Sequence, residues 1–243
     1  MAALTALIIG ATGATGKHLL QELLASPQYS SVSEYGRRVS APEQITTGRE
    51  KLEQKTIDFE RLETAGLKDK KWDVVFITLG TTRKIAGSQA AFERIDREYV
   101  VNAARAAKSD DPNHQQRLIY VSAPSANPSS YSLYLRSKGL TEIGLAELGY
   151  NDTIVFRPAM LGEGNRPDSR PLEITAVYLA KAVSKVLSSV YMPIPTLAKA
   201  LRIAGETGSA GLPPDTVQNA GDGKVQYSLI SNKGILDIAN VSH

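Results

Sequence analysis

The chain has 243 residues, of which 42% are hydrophobic and 22% charged, and its formal net charge is +3. These fractions are ordinary for a globular protein and leave enough apolar residues for one sizeable core. The small basic excess is too scattered for a nucleic-acid surface, which needs positive charge clustered on one face. The sequence contains no cysteine, which excludes disulfides, thiolate catalysis and cysteine-bound metals.

Neither a metal site nor a membrane-spanning segment is predicted. The three histidines, His18, His114 and His243, do not show metal-ligand spacing. No stretch approaches the roughly 18 consecutive apolar residues that a spanning helix needs. The first residues lack a basic region and lead directly into an apolar strand, so we expect no cleavable presequence.

The first half of the chain alternates between strand-like and helix-like patterns, which indicates a parallel sheet covered by helices. A short apolar strand at Leu4–Ile9 leads into a glycine-rich loop and a helix that runs through Ala25. The further elements predicted in this half are strands at Val32–Gly36, Lys55–Phe59 and Asp73–Leu79, followed by a long helix over about Ala86–Ala107.

The second half continues the alternation and contains no visible linker between two cores. Its predicted strands are Arg117–Ser122, Thr153–Pro158 and Tyr227–Ile230, and its predicted helices are Leu133–Leu148, Leu172–Val190, Thr196–Gly205 and Lys233–Ala239. Glycine, proline, asparagine and aspartate dominate 208–223, which is therefore predicted to be a loop. We expect residues 1–243 to form one domain, in which roughly 160–225 build a small cap on the substrate side.

The loop after the first strand is typical of a dinucleotide-binding turn. The first glycine permits a tight turn, the second lets the backbone approach a pyrophosphate, and the third lets helix and strand pack closely. The N–H groups and dipole at the helix N-terminus favour negative charge at the same place. The predicted cofactor contacts in this loop are Gly10, Thr12, Gly13, Ala14, Thr15 and Gly16.

Residues at the end of the second strand indicate which dinucleotide binds. An NAD-binding protein places an acid there to accept a hydrogen bond from the ribose 2′-hydroxyl. Here Glu34 precedes the strand end, whereas Arg37 and Arg38 follow it and suit a 2′-phosphate. A solvated basic turn is the alternative. We predict that NADP(H) is the cofactor.

A tyrosine and a lysine four residues apart form the candidate catalytic pair. Tyr134 and Lys138 share one face of a predicted helix, after Ser122 at the end of the fifth strand. A lysine ammonium beside a phenol favours release of the phenol proton, and a serine hydroxyl can orient a substrate oxygen. A surface helix pair is the alternative for Tyr134 and Lys138. Tyr131 is not a candidate, because Leu135 stands where its lysine would be.

Three further places are predicted to contact the cofactor. Asp58, at the end of the third strand, could accept from the adenine amino group, and an N-cap role before Glu60 is equally compatible. Pro158 follows Arg157 at the end of the sixth strand, where backbone lines nicotinamide pockets. The turn after the fourth strand supplies Leu79, Gly80 and Thr81.

Taken in order, these motifs resemble the atypical short-chain dehydrogenase/reductases of the Tat-interacting-protein (oxidoreductase) group. The amino-acid sequences of residues 71–80 and 94–100 are more closely similar to the fungal branch of this group, whose members are assigned to the mitochondrial outer membrane. The likeness covers nearly the whole chain and fades around 160–225. It implies a Rossmann-type doubly wound parallel sheet of about seven strands, NADPH binding, a Ser–Tyr–Lys site and peripheral attachment to the mitochondrial surface.

Three functions fit this pattern. The first is an NADPH-dependent reductase of a carbonyl-like substrate. In it Tyr134 donates the proton, Lys138 favours release of that proton from the phenol, and Ser122 holds the substrate oxygen. The second is an NADP(H)-sensing binding protein with little turnover, since one fold serves both roles. The third is an epimerase or dehydratase with tightly held cofactor.

The expected partners are a small-molecule substrate and a membrane surface. The stretch Leu172–Leu201 mixes lysines with apolar residues and could lie on anionic lipid, although packing of a helix pair on the sheet edge explains it better. A homodimer is common on this scaffold.

Overall fold

The computed structural model describes residues 3–162, 191–221 and 223–241 of the chain. The strands of its main sheet are β1 (Leu4–Ile9), β2 (Tyr29–Gly36), β3 (Leu52–Thr56), β4 (Val74–Ile77), β5 (Arg117–Val121), β6 (Asp152–Arg157), β9 (Val217–Gly221) and β10 (Gln226–Ser231). Two short strands, β7 (Met160–Gly162) and β8 (Tyr191–Pro193), pair in parallel as a separate small sheet.

The helices are α1 (Ala14–Ala25), α2 (Arg83–Ala86), α3 (Gln89–Glu93), a π-helical turn (Arg94–Glu98), α4 (Tyr99–Ala107), α5 (Leu133–Ala146), α6 (Ile194–Thr207) and α7 (Asn232–Asn240). Short 3₁₀ turns occur at Pro42–Gln44, Arg49–Lys51, Leu62–Thr64, Ser209–Gly211 and Pro214–Thr216. None of the helices in the described ranges is long and apolar enough to cross a bilayer.

The order of the strands places a binding crevice next to β1. The main sheet runs β3-β2-β1-β4-β5-β6-β10-β9, and all neighbours are parallel except β10 and β9. The winding direction reverses between β1 and β4, and ligands of such sheets bind outside the carboxyl ends of the strands at this reversal. The predicted Rossmann-type sheet is therefore confirmed, with eight strands where about seven were expected.

The apolar residues of each central strand are divided between two core clusters, one on each face of the sheet. Ala6 and Ile8 of β1 pack with α1, α6 and α7, whereas Leu7 and Ile9 pack with α4 and α5 on the other face. This division follows from the alternation of side chains along a strand. Because both faces are covered, the inner residues of the central strands β1, β4, β5 and β6 are apolar on both faces. Each large buried side chain contributes about 1.5–3 kcal/mol.

Three predicted elements differ from the structure. The third strand was placed at Lys55–Phe59 but is Leu52–Thr56, because Ile57 and Phe59, which gave the apolar pattern, are buried in the loop after it. The long helix over 86–107 is wrong: Gly87, at φ 84°, ends α2, and a π-helical turn separates α3 from α4. The predicted loop at 208–223 contains β9, an edge strand without an apolar pattern.

Two predictions cannot be compared with the described residues. The helix predicted at Leu172–Val190 lies outside them, and so does most of the stretch Leu172–Leu201 that we considered for lipid contact. The proposed cap at 160–225 is described only in part; its described portion includes β7, β8 and α6.

Candidate functional site

The glycine loop forms a tight turn at the amino end of α1. The N–H of Gly13 donates to the carbonyl of Gly10 over 3.0 Å, and Gly13 is the N-cap of α1 without a capping side chain. Thr12, Gly13 and Ala14 are exposed, so their backbone is open to a ligand. The unpaired N–H groups of the first turn favour a phosphate at this position.

Two glycines of this loop are required by close backbone contacts. Gly10 has φ 98°, and a Cβ there would lie 2.7 Å from the backbone nitrogen of Leu79 in the turn after β4. A Cβ on Gly16 would lie 2.1 Å from the carbonyl oxygen of Gly10. By contrast, among the described residues a Cβ on Gly13 would meet only that oxygen, at 3.3 Å. Gly13 therefore faces the space outside the loop, whereas Gly10 and Gly16 face protein.

The end of β2 presents two arginines and no acid. Glu34 is buried, and its carboxylate accepts hydrogen bonds from the backbone and hydroxyl of Ser40 and from the Gln54 amide at 2.8–2.9 Å. The carboxylate of Glu34 thus points into the protein and already accepts hydrogen bonds from Ser40 and Gln54. Arg37 and Arg38 are exposed, and no ion pair joins either of them to a residue in the described ranges.

Helix α5 carries three polar side chains on one face, one turn apart. Tyr134 lies in its first turn and is 44% exposed, whereas Lys138 and Glu142, in the following turns, are buried. This helix approaches the loop after β5 closely, since a Cβ on Gly139 would lie 2.3 Å from the backbone nitrogen of Pro128. The structure therefore brings the predicted Tyr134–Lys138 pair to the carboxyl edge of the sheet.

Two buried partners hold the ammonium group of Lys138. Its Nζ lies 3.1 Å from Oδ1 of Asp96 and 3.0 Å from the hydroxyl of Tyr120. Burial opposes the charge of Lys138, but its interactions with Tyr120 and Asp96 outweigh that effect and raise its pKa. Burial also raises the pKa of Tyr120 to about 12, although the neighbouring Lys138 acts in the opposite direction. The lysine is therefore charged throughout the physiological range.

Ser122 belongs to a second buried network. Its Oγ donates to Oε1 of Glu142 over 2.5 Å, and the guanidinium of Arg157 binds both oxygens of that carboxylate at 2.9 and 2.5 Å. The hydroxyl of Tyr227 donates to Oε2 over 2.9 Å, and burial together with Glu142 raises the pKa of Tyr227 to about 12. The predicted role of Ser122 as donor to a substrate oxygen therefore requires its proton to turn away from Glu142.

The other predicted contacts lie around the same edge. The carboxylate of Asp58 accepts from the backbone N–H of Glu60 and pairs with Arg61, each at 3.0 Å, and these hydrogen bonds lower its pKa. The side chain of Asp58 thus closes a local turn at Glu60, and the N-cap role given as the alternative is wrong, because Arg61 is the N-cap of the 3₁₀ turn that follows. Asp58 remains exposed, and its contact with adenine stays a prediction. Of the turn after β4, Gly80 is exposed and Leu79 half-buried; Pro158 is buried after β6.

An apolar cleft of about 230 Å³ lies beside Tyr134. The rings of Phe92 and Tyr134 are 6.2 Å apart in a tilted arrangement on its wall. Its remaining lining residues are Thr82, Arg83, Ser132 and Leu133. The cleft therefore adjoins the one exposed hydroxyl of the predicted Ser–Tyr–Lys set.

Comparison with known proteins identifies the family of this chain. A protein family described as NAD(P)H-binding matches residues 10–184, a range that begins at the first glycine of the loop and covers most of the chain. The chain belongs to the NAD(P)H-binding family. The glycine loop, the predicted contacts after β4 and the Tyr134–Lys138 pair all lie within the matched range.

Two curated relatives confirm the resemblance to the Tat-interacting-protein group and its fungal branch. Protein HTATIP2 of Rattus norvegicus is 34% identical over 236 residues, which cover 97% of this chain and 89% of that protein. The mitochondrial protein fmp52 of Emericella nidulans is 30% identical over 194 residues, which cover 75% of this chain and 77% of that protein.

A solved structure supports the fold. The enzyme WbmH of Bordetella bronchiseptica, in complex with NAD+, superposes with a TM-score of 0.58 and 18% identity, over 85% of this chain and 73% of that one. At this identity the likeness concerns the fold alone, an α/β fold with a mainly parallel sheet.

Sequence reasoning missed the acids of both buried networks. Asp96 lies four residues before Val100 and seven before Ala103, so it occupies the buried stripe of the α4 region. Glu142 follows Lys138 by one helical turn on the Tyr134 face. An acid on an otherwise apolar or catalytic helix face is the signal that could have identified each of them.

Proposed function

We propose that the chain is an NADPH-dependent reductase in which Tyr134 donates a proton to the oxygen of a carbonyl substrate. The observation that supports this most directly is the placement of Tyr134. Its exposed phenol lies one helical turn from the buried ammonium of Lys138 and adjoins an apolar cleft at the carboxyl edge of the sheet. A general acid needs such a position, open to substrate and next to a fixed positive charge.

The choice of NADPH over NADH rests on the end of β2. Glu34, the acid that could accept from a ribose 2′-hydroxyl, is buried and already receives hydrogen bonds from Ser40 and Gln54. The exposed guanidinium groups of Arg37 and Arg38 are the groups left to meet the ribose, and they suit a phosphate.

The proposed reaction divides the work between cofactor and protein. When bound, the nicotinamide supplies the hydride. The phenol of Tyr134 gives its proton to the substrate oxygen, and the ammonium of Lys138 stabilises the phenolate that is left. The exposed backbone of Thr12–Ala14 and the N-terminus of α1 would hold the pyrophosphate, and Gly10 and Gly16 keep that turn tight.

The cleft favours a substrate with an apolar group beside its carbonyl. Phe92 and Leu133 offer apolar contact, and the polar residues Thr82, Arg83 and Ser132 belong to the same lining. Ligand sites of this kind combine apolar walls with a few polar groups that fix orientation. A panel of aromatic and aliphatic aldehydes and ketones is therefore the appropriate first substrate screen.

Replacement of Tyr134 tests the proposal. We expect Tyr134→Phe to lower turnover at least about 100-fold while NADPH binding is retained, because the lost proton donor contributes about that much in comparable enzymes. Tyr131→Phe is the matched control, since Tyr131 is fully exposed three residues earlier. NADPH oxidation with each aldehyde, followed by absorbance, is the measurement. Equal turnover of wild type and Tyr134→Phe would contradict the proposal.

One observation favours a second function, an NADP(H)-sensing binding protein with little turnover. Ser122 donates its proton to Glu142 and so offers no donor to a substrate oxygen in this arrangement. Under this alternative, NADPH binds but no aldehyde of the panel is reduced, and Tyr134→Phe leaves the cellular role unchanged.

The fungal relatives are named mitochondrial, and we propose peripheral attachment of this chain to the mitochondrial surface. Fractionation of cells that express the tagged chain, followed by alkaline carbonate extraction, tests this. Recovery in the mitochondrial fraction and release by carbonate are expected, and recovery outside mitochondria would contradict it.

A further inference from the structure

The π-helical turn at Arg94–Glu98 places a buried acid next to the candidate catalytic lysine. Asp96, at its centre, is 0% exposed, and its Oδ1 lies 3.1 Å from Nζ of Lys138. Single π-helical turns are rare and frequently occur at functional sites. Burying a carboxylate costs free energy unless it is paired with a cation. The carboxylate of Asp96 and the ammonium of Lys138 therefore stabilise each other in this buried position.

Asp96 also contacts the turn after β4 that is predicted to bind the cofactor. Its Oδ1 lies 3.5 Å from the backbone nitrogen of Thr81. A Cβ on Gly80 would lie 3.5 Å from that same oxygen and 3.6 Å from Nζ of Lys138. A side chain at position 80 would therefore contact the ion pair, and the ion pair lies between the turn after β4 and α5.

Within the described part of the chain, the two partners of Lys138 leave its ammonium one further N–H group. A lysine ammonium has three N–H groups, and Asp96 and the hydroxyl of Tyr120 receive two of them. The third remains for the phenol of Tyr134, one turn earlier on α5, or for a hydroxyl of the cofactor. The other acid of this face, Glu142, is already bound by Arg157 and does not compete for the lysine.

We propose that Asp96 is a positioning residue, whose carboxylate keeps Lys138 charged and directs its free N–H towards Tyr134 and the bound cofactor. The catalytic part of this proposal rests on the proposed function. Without Asp96, a buried ammonium loses its counter-charge and its protonation becomes unfavourable. Tyr120, which is neutral, would remain as the lysine's hydrogen-bond acceptor but could not supply that charge.

The test uses Asp96→Asn, which keeps the shape of the side chain and removes its charge. We expect turnover to fall at least about tenfold near neutral pH and to recover partly at lower pH, where Lys138 regains its proton, with NADPH affinity little changed. An unchanged turnover, or a loss that is equal at every pH, would overturn the proposal, because a merely structural role does not move the pH profile.

A second measurement does not depend on turnover. Acetic anhydride acetylates only the deprotonated amine, so the pH midpoint of Lys138 labelling, read by peptide mass spectrometry, reports its protonation. We expect this midpoint to fall from the alkaline range in wild type to about pH 7 or below in Asp96→Asn, as the loss of turnover near neutral pH requires. An unchanged midpoint overturns the proposal even if the reductase function fails.

If Asp96→Asn does not fold, Asp96→Glu tests the positioning role instead. This variant keeps the charge but moves the carboxylate by one methylene. We expect the labelling midpoint of wild type together with reduced turnover, because the charge remains while the direction of the free N–H changes. Turnover equal to wild type would overturn the positioning role.

Discussion

The glycine loop and the α5 face lie at the same edge of the sheet but are built in different ways. The loop at Gly10–Gly16 acts through backbone atoms. Its glycines permit close contacts between backbone segments, and the groups that it presents to a ligand are the N–H groups of α1. The α5 face is made of buried charges, in which Lys138 meets Asp96 from the π-helical turn and Glu142 meets Arg157 from β6.

This difference determines what each region tolerates. In the loop the cost of substitution is steric and local, because an added Cβ meets backbone that cannot move away. On the α5 face the cost is electrostatic, because removing one partner leaves the other as an uncompensated charge. The two regions should therefore respond to different substitutions and with different magnitudes.

Glu142→Gln should produce the larger loss of stability. The carboxylate of Glu142 is buried, binds Arg157 through both oxygens and accepts from Ser122 and Tyr227. Because Arg157 is partly exposed, we expect the free energy of unfolding to fall by about 3 kcal/mol, the lower end for a broken buried pair. Chemical denaturation is the measurement.

The matched control for Glu142→Gln is Asp237→Asn. Asp237 pairs with Lys233 on the surface of α7, where the two side chains are 42% and 82% exposed. An exposed pair of this kind is screened by solvent and contributes little to stability, so the loss should be far smaller than for Glu142→Gln. Equal losses in the two variants would show that the α5 network is not held by buried charge, and the contrast between the regions would fail.

Two glycine substitutions separate folding from binding in the loop. Gly16→Ala should lower the free energy of unfolding by about 1–3 kcal/mol, because the new Cβ overlaps the Gly10 carbonyl. Gly13→Ala should cost under about 1 kcal/mol, since its Cβ points out of the loop. Both should weaken NADPH binding, as measured by calorimetry. Full stability of Gly16→Ala would contradict the steric account.

The same difference explains how much of the molecule could be predicted from its sequence. The loop, the central strands and the Tyr134–Lys138 spacing are local patterns. The structure forms β1, β4, β5 and β6 close to their predicted bounds and brings the loop and the pair to the carboxyl edge of the sheet. Asp96 was missed because its partner, Lys138, lies 42 residues further along the chain. Glu142 was missed because its partner, Arg157, lies 15 residues further along the chain.

Other misses follow from tertiary contacts. The third strand was predicted too far along the chain because Ile57 and Phe59 continue its apolar pattern. Both residues are buried, but they lie in the loop after the strand. Strand β9 was missed because it forms through pairing with β10 and buries little of its own surface. Edge strands of this kind do not show the alternation on which a prediction depends.

The central claim is that this chain binds NADP(H) through its glycine loop and the arginines after β2. Calorimetric titration with NADPH and NADH at one ionic strength tests it most directly, with Arg37→Ala beside wild type. Lys68→Ala is the control for lost charge, because Lys68 pairs with Asp110 in loops before β4 and β5, at the amino end of the sheet.

We predict that wild type and Lys68→Ala bind NADPH at least about tenfold more tightly than NADH, a difference of about 1.4 kcal/mol. Arg37→Ala should lose most of that preference while its affinity for NADH is unchanged, because NADH lacks the 2′-phosphate. Equal binding of the two nucleotides by wild type, or binding of neither, would contradict the account.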